Sequence, residues 1–400
     1  MADTASSRRI DKPVDKPVER SAGKPAELDE ELLARVRAGG DASDAERNPN
    51  RDVLVEMARR GLMRVLVPEE LGGLGRHPAE FIEFTHRVSY EHPSTGWVAM
   101  TCNEEAEIFA AHLEPETVSG FYALHPDVVI AGSGVPRGIA SPVDGGWSVN
   151  GRWTFVSGCT GADWWVVANV VDGTMPKQVC HVLVPADQAC VEDTWHTVGL
   201  RGTGSHDVVL ADMFVPANRA AVVENYSLPK PNEHPFYRLP SGLRFPFPKT
   251  GVASGIARRA IDEFAALADT KTPLFARSEL VTRPDAHAAM ARSEALLGAG
   301  RAFVADQLDG LWETASAGGD VTPQQHARAR LACSWSVQNC IAAVETLVTA
   351  AGSTANFTAS PLGALLNDVR AVAGHFMVGS YQMDTAGRVL LGQDSGDRDF

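Results

Sequence analysis

The spacing of the apolar residues changes twice along this 400-residue chain, and that order limits the fold more than any short motif. Residues 27–126 follow a helical period. "LLARVRAGG" and "VLVEMARRGL" each end at glycine, and "PAEFIEFTHRVSYEH" stops before Pro93. The next stretch, "STGWVAMTCNEEAEIFAAHL", takes Ser94 or Thr95 as its expected N-cap. Near Asp127 the period becomes that of strands, through "DWWVVANVV", "QVCHVLVPA" and "DVVLADMFVP" to about Val223. Asn150-Gly151, between Trp147/Val149 and Trp153/Phe155, predicts a two-residue hairpin turn. Residues 224–240 are a Pro-rich connection, and the helical period returns over 241–400. There Ile256, Ala260, Ile261, Phe264 and Leu267 make one apolar stripe, and Thr322-Pro323-Gln324-Gln325 reads as a capping box. Helices, then strands, then helices do not alternate, so a doubly wound nucleotide fold is excluded and an α+β multidomain protein is expected.

Residues 1–26, with the repeat "DKPVDKPVE", read as a disordered tail. The rest has an ordinary globular balance, 44% hydrophobic and 22% charged. A formal charge of −14 argues against nucleic acid and anionic membranes as partners. No apolar run is long enough for a span and no signal peptide is visible. Six cysteines show no CxxC or metal spacing. No metal site is expected, and a reducing cytoplasm is the expected location. GxxxxGK[ST], GxSxG, HExxH and a strand-linked GxGxxG are all absent.

One loop stands out. "DTWHTVGLRGTGSHDVVLADMFVPANR" sets three glycines and two hydroxyl residues between Gly199 and Ser205, as a chain does where another group must come close. Such glycines are also plain turn-formers. Arg201 reads as a clamp within the loop. The acidic trio Glu104, Glu105 and Glu107 reads as a solvated helix face.

This loop resembles the end of the β domain in the acyl-CoA dehydrogenase superfamily. Four other segments resemble that superfamily in the same order: "GLMRVLVPEELGGLG", "STGWVAM", "WSVNGRWTFVSGCTGADWWVVA" and "AAGSTANFTASPLGALLNDVRAVAGH". The resemblance spans about residues 30–395. It implies an N-terminal helical domain, a central β-barrel and a C-terminal four-helix bundle, assembled as a homotetramer. "SGC" at Ser157–Cys159 and "GLRGTGS" are more similar to the flavin-dependent monooxygenase branch, which includes the oxygenase component of p-hydroxyphenylacetate hydroxylase. Dehydrogenases of the common type carry a catalytic Glu in Tyr-Glu-Gly-Thr. The aligned residues here are His375-Phe376-Met377-Val378, and phenylalanine takes no proton. Their Arg-x-x-Phe-Gly segment is missing as well.

The resemblance implies the oxygenase of a two-component system. Reduced FMN or FAD would come from a separate NAD(P)H:flavin reductase. With O2 and a flavin hydroperoxide, the enzyme would hydroxylate an aromatic, polyketide-like or amine small molecule. An FAD-bound acyl-CoA dehydrogenase is the alternative. Trp97 would wall the flavin ring, with a plain core tryptophan as the competing explanation. Ser157 and Gly158 would sit near the ring N5 edge, with Gly202 and Thr203 also on the cofactor. Ser133, Glu105 and Ser205 fall toward the substrate. His375 would be catalytic with Ser157, giving a hydrogen bond to the peroxide or taking a substrate proton. It is read as sharing one helix face with Asp368 and Ala371.

Overall fold

The computed structural model describes residues 28–175, 177–223 and 234–396, so the tail at 1–26 lies outside the described residues. Five helices come first: α1 (Glu30–Glu46), α2 (Arg51–Arg59), α3 (Pro78–Glu91), α4 (Pro93–His112) and α5 (Pro115–Leu124). Helix α1 runs on through Gly39-Gly40, where the sequence predicts its end. Both glycines are sites of close approach. A Cβ at Gly40 would lie 2.8 Å from the His92 ring, and one at Gly39 would overlap the Asn50 amide. Helix α4 is capped by His92, whose ring accepts the Thr95 N–H, and not by Ser94 or Thr95. The Pro at its first position leaves no N–H to satisfy there.

Seven strands follow: β1 (Ile130–Val143), β2 (Gly146–Trp153), β3 (Trp164–Val171), β4 (Val179–Pro185), β5 (Cys190–Glu192), β6 (Asp207–Pro216) and β7 (Ala220–Val223). They form one sheet in the order β5-β6-β2-β1-β3-β4-β7. Strands β1 and β3 run parallel, and the other pairs are antiparallel. The hairpin turn is not at Asn150-Gly151. Val143 pairs with Gly146, so the turn is Asp144-Gly145, with Gly145 at φ +77°. Asn150-Gly151 lies inside β2 at a register shift against β6. There Asn150 exchanges two hydrogen bonds with Asp212, at 2.7 and 3.1 Å. A Cβ at Gly151 would press on the Gly138 backbone and the buried Trp153 ring, so this glycine admits a neighbour and does not make a turn.

The last third holds α6 (Pro235–Arg238), α7 (Ser241–Arg244), α8 (Pro246–Thr270), α9 (Pro284–Ser316), α10 (Pro323–Ala351), α11 (Pro361–Ala373) and α12 (Gln382–Leu390). Helices α8 to α11 pack on one another as a four-helix bundle, with α12 on α10. The capping box at Thr322 forms, and α10 closes at Gly352. The Pro-rich connection is not all loop. Its end is α6, whose Phe236 and Tyr237 are buried under the Arg244 guanidinium.

One apolar core joins the three parts, from Leu32 and Val98 through Trp153 to Ile256 and Val344. Helix α4 passes through its middle, against α3, α8 and β1. This overturns the reading of the acidic trio as a solvated face. Glu105 and Glu107 are buried, Glu104 is half-buried, and the reason is that α4 has no face left for water. Glu107 is ion-paired with Arg244, both almost fully enclosed, and Glu104 is ion-paired with Lys249 at 2.6 Å. Glu105 has no hydrogen bond or ion pair among the described residues, and burial together with the Glu104 charge pushes its carboxyl well above the ordinary range.

A buried pair is costly to break from one side, because the survivor is left charged and uncompensated. Glu107→Leu is therefore expected to lower the unfolding free energy by about 3–5 kcal/mol, and Glu107→Leu/Arg244→Met to recover much of it. Urea unfolding of the three proteins checks this. Equal losses in the single and double variants would show that the pair does not act as a unit.

Candidate active site

The seven-residue loop 199–205 folds as a short turn between β5 and β6, and what its glycines admit is other parts of the chain. A Cβ at Gly199 would overlap the Asn367 backbone of α11. One at Gly202 would lie 2.7 Å from Asp44 Oδ1 and 3.0 Å from Ser43, at the end of α1. The Gly202 N–H is already donated to Asp44 at 2.8 Å and Ser94 at 3.1 Å. Arg201 donates to the Asp44 and Thr197 carbonyls, which makes it the expected clamp. Gly158 behaves alike. At φ +77° it favours glycine, its missing Cβ faces Val98 at 2.8 Å, and its N–H is donated to the Thr203 carbonyl. The open side of these glycines is filled by helices.

The hydroxyl residues of the loop do converge. Thr203, Ser205 and Ser157 are buried, and their side-chain oxygens form a row: Thr203 to Ser205 at 2.7 Å, Ser205 to Ser157 at 2.8 Å. At one end the Trp97 indole N–H donates to Ser157 Oγ at 3.0 Å. At the other, Thr203 donates to the Leu200 carbonyl at 2.8 Å. Leu200 sits at φ +50°, a conformation uncommon for a branched residue, and its N–H is held by Asp368 Oδ1 at 2.7 Å.

The Trp97 ring also meets the His375 ring edge to face, with centroids 5.6 Å apart. His375 is not on the helix that carries Asp368. Helix α11 ends at Ala373, and His375 lies in the turn beyond it because Gly374 caps the helix. There its Nδ1 accepts the Met377 N–H at 3.3 Å, so the neutral ring carries its proton on Nε2. Burial, then the charges of Lys249 and Arg330, hold this imidazole well below its ordinary pKa. A neutral ring with Nδ1 occupied can donate from Nε2 and has no lone pair left to take a proton. Of the two roles read for it, this contact favours the donor. Phe376, where dehydrogenases carry their carboxylate, stacks on the His375 ring at 4.7 Å.

Ser133 and Glu105 do not come together in the same way. Glu105 Oε2 lies against Gly132, where a Cβ would be 2.8 Å away. Ser133 is buried one residue further along β1, so the alternation of the strand points it to the opposite face. Sequence reasoning missed Lys249, whose Nζ is 6.0 Å from the centre of the Trp97 ring and bonded to Glu104 and the Phe245 carbonyl. A lone lysine in the otherwise apolar "PFPKTGVASGIA" was the available signal. Asp44 and Asp368 were also missed. Each ties a distant helix to the loop amides, and an isolated aspartate announces no such task.

Burial, with the Asp44 carboxylate nearby, pushes the Asp368 carboxyl up to about 7. An acid raised in the folded state binds its proton more tightly there, so its charge opposes folding as pH rises from about 4 to about 7. Asp368→Asn keeps the acceptor for Leu200 and removes that charge. The variant is expected to be more stable than the parent at pH 8, with the difference gone near pH 4. Melting temperatures across this range would show it, and a constant offset at every pH would count against the assignment.

The chain is similar to known proteins along nearly its whole length. Residues 250–380 match the family model "Acyl-CoA dehydrogenase, C-terminal domain". The chain is 34% identical over 367 residues to indole-3-acetate monooxygenase of Pseudomonas putida, covering 90% of this chain and 91% of the relative. It is 28% identical to the oxygenase subunit HsaA of a flavin-dependent monooxygenase of Rhodococcus jostii, covering 86% and 92%. The crystal structure of 3-HSA hydroxylase from Rhodococcus sp. RHA1 superposes with a TM-score of 0.83 at 26% identity, covering 93% of this chain and 97% of that one. With relatives of this kind along nearly its whole length, the chain belongs to the flavin-dependent monooxygenases of the acyl-CoA dehydrogenase superfamily.

Proposed function

We propose that the chain is the oxygenase that binds reduced FMN or FAD beside Trp97 and hydroxylates an aromatic small molecule, the flavin being reduced by a separate NAD(P)H-dependent reductase. The observation that carries this is that Trp97 touches both a buried row of hydroxyls and a neutral imidazole. The residues present fit such a cofactor. An indole face suits a flat heterocycle, and the hydroxyl oxygens keep lone pairs that suit its N–H groups. The bound reduced flavin supplies the electrons that activate O2, one oxygen atom entering the substrate and the other leaving as water. Ser157 would bond the ring edge, and Trp97 would hold the ring plane. His375 would donate its Nε2–H to developing negative charge on oxygen. The aromatic substrate class is carried over from the relatives, of which one is named for indole-3-acetate.

His375→Ala is expected to lower product formed per reduced flavin and to raise peroxide release, with folding intact. Because the imidazole is neutral throughout, the parent's yield should stay flat from pH 8 to pH 6, where an ordinary histidine of pKa 6.5 would begin to charge. The assay uses purified chain, chemically reduced FMN or FAD, oxygen and a panel of aromatic acids, phenols and indoles. Absence of oxygen-18 in any product, with oxidation of an acyl thioester instead, would overturn the reading.

A cytoplasmic homotetramer completes the proposal. No helix among the described residues is long and apolar enough to cross a membrane. Trp335, Phe357, Phe376 and Leu391, all in the last third, expose large apolar surface that a partner subunit would cover. Sedimentation at micromolar concentration is expected to give one species near four chain masses, and a stable monomer would refute it.

A further inference from the structure

The direction of every hydrogen bond in the hydroxyl row can be assigned, because its two ends are fixed. Thr203 has one hydroxyl proton, and the Leu200 carbonyl at 2.8 Å can only accept, so that proton is used there. At the Thr203–Ser205 contact of 2.7 Å, Ser205 must therefore be the donor. The Ser205 proton is then used as well, so Ser157 donates across the 2.8 Å contact to Ser205. The indole N–H can only donate, and it gives to Ser157. The row runs one way: Trp97 to Ser157 to Ser205 to Thr203 to the Leu200 carbonyl. Each hydroxyl gives one bond and receives one, and what each has left is a lone pair.

The far end is fixed by the backbone. The Leu200 carbonyl also receives the Trp195 indole N–H at 3.0 Å, and its own N–H is anchored on Asp368. Thr203 is fully enclosed and Ser205 is 3% exposed, so no water supplies an alternative partner.

From this we propose that Thr203 and Ser205 are positioning residues that hold Ser157 as an obligate hydrogen-bond acceptor, and so make the site select the reduced flavin over the oxidised one. This rests on the reading that Ser157 faces the N5 edge of the ring. N5 carries a hydrogen in the reduced ring and a bare lone pair in the oxidised ring. An acceptor bonds the first and opposes the second. With the proton of Ser157 directed into the row, the row has no donor left with which to satisfy an oxidised N5. A chain that takes its flavin already reduced gains from this polarity, since spent cofactor leaves the site.

The proposal predicts an unusual response to mutation. Thr203→Val removes the acceptor that draws the Ser205 proton. Ser205 is then free to donate to Ser157, whose own proton turns toward the ring. Ser205→Ala frees the same proton by removing its acceptor. Both variants should bind oxidised flavin more tightly and reduced flavin less tightly. With about 1 kcal/mol for each bond made or lost, the ratio of the two affinities should fall about 5- to 30-fold. Thr203→Ser restores the hydroxyl and should restore the ratio.

The experiment is anaerobic equilibrium titration of each protein with oxidised and with dithionite-reduced FMN and FAD, alongside the midpoint potential of the bound flavin. Melting temperature serves as the folding control. The expected result is a smaller affinity ratio and a lower potential in Thr203→Val and Ser205→Ala, with Thr203→Ser like the parent. Ratios unchanged in both variants, while Ser157→Ala alters binding, would overturn the polarity and leave the place of Ser157 intact. If Ser157→Ala changes neither affinity, Ser157 is not at the ring, and the reading beneath the proposal fails with it.

Discussion

The enclosure of helix α4 on all sides is the constraint on which the rest of the structure depends. A surface helix can keep charges on its wet face, but α4 lies between α3, α8 and β1 and has none. Its carboxylates must find cations inside the protein, and two do, Glu107 with Arg244 and Glu104 with Lys249. Both cations come from the start of the C-terminal helical region. The pairs therefore fix where α7 and α8 begin relative to the N-terminal helices, and with them the wall around Trp97. Charges that are poorly placed for stability set the register of the two helical parts.

The broad plan was legible in the sequence because it rests on period. Strand runs such as "DWWVVANVV" and the helical stripe of α8 keep one spacing over many residues, and such signals survive any packing. Details resting on short signals fared worse. Asn150-Gly151 and Asp144-Gly145 are both good turn formers, and only the pairing of β2 with β1 and β6 tells which one turns. Gly39-Gly40 reads as a helix end until the side chains of Asn50 and His92, which need that space, are known.

The candidate site divides along the same line. Residues with the resemblance behind them, Trp97, Ser157, Thr203, Ser205 and His375, do gather in one place. The glycines Gly158 and Gly202 were assigned to the cofactor from the same resemblance, together with the ground that glycine permits close approach. Close approach is what they serve, but toward Val98 and Asp44. Sequence alone cannot say which neighbour a missing Cβ makes room for. Nor could it give the tautomer of His375, which depends on a main-chain N–H two residues on.

The two groups that meet Trp97 carry opposite hydrogen-bonding capacity, and that asymmetry bears on proton traffic. His375 has an N–H to give and no free lone pair. The hydroxyl row has free lone pairs and no N–H or O–H to give. A proton approaching Ser157 meets a path that ends on the buried Leu200 carbonyl, a group far too weak a base to keep it. The row can orient a hydrogen bond, but it cannot carry a proton away. With reduced flavin placed at Ser157 as proposed, an N–H bonded to this acceptor would be retained where a water-filled or acid-lined channel would let it leave, and a dead-end acceptor would protect coupling. The same argument explains why the strained turn at Leu200 is anchored by Asp368. If the carbonyl swung away, Thr203 would lose its acceptor and the direction of the row would no longer be fixed.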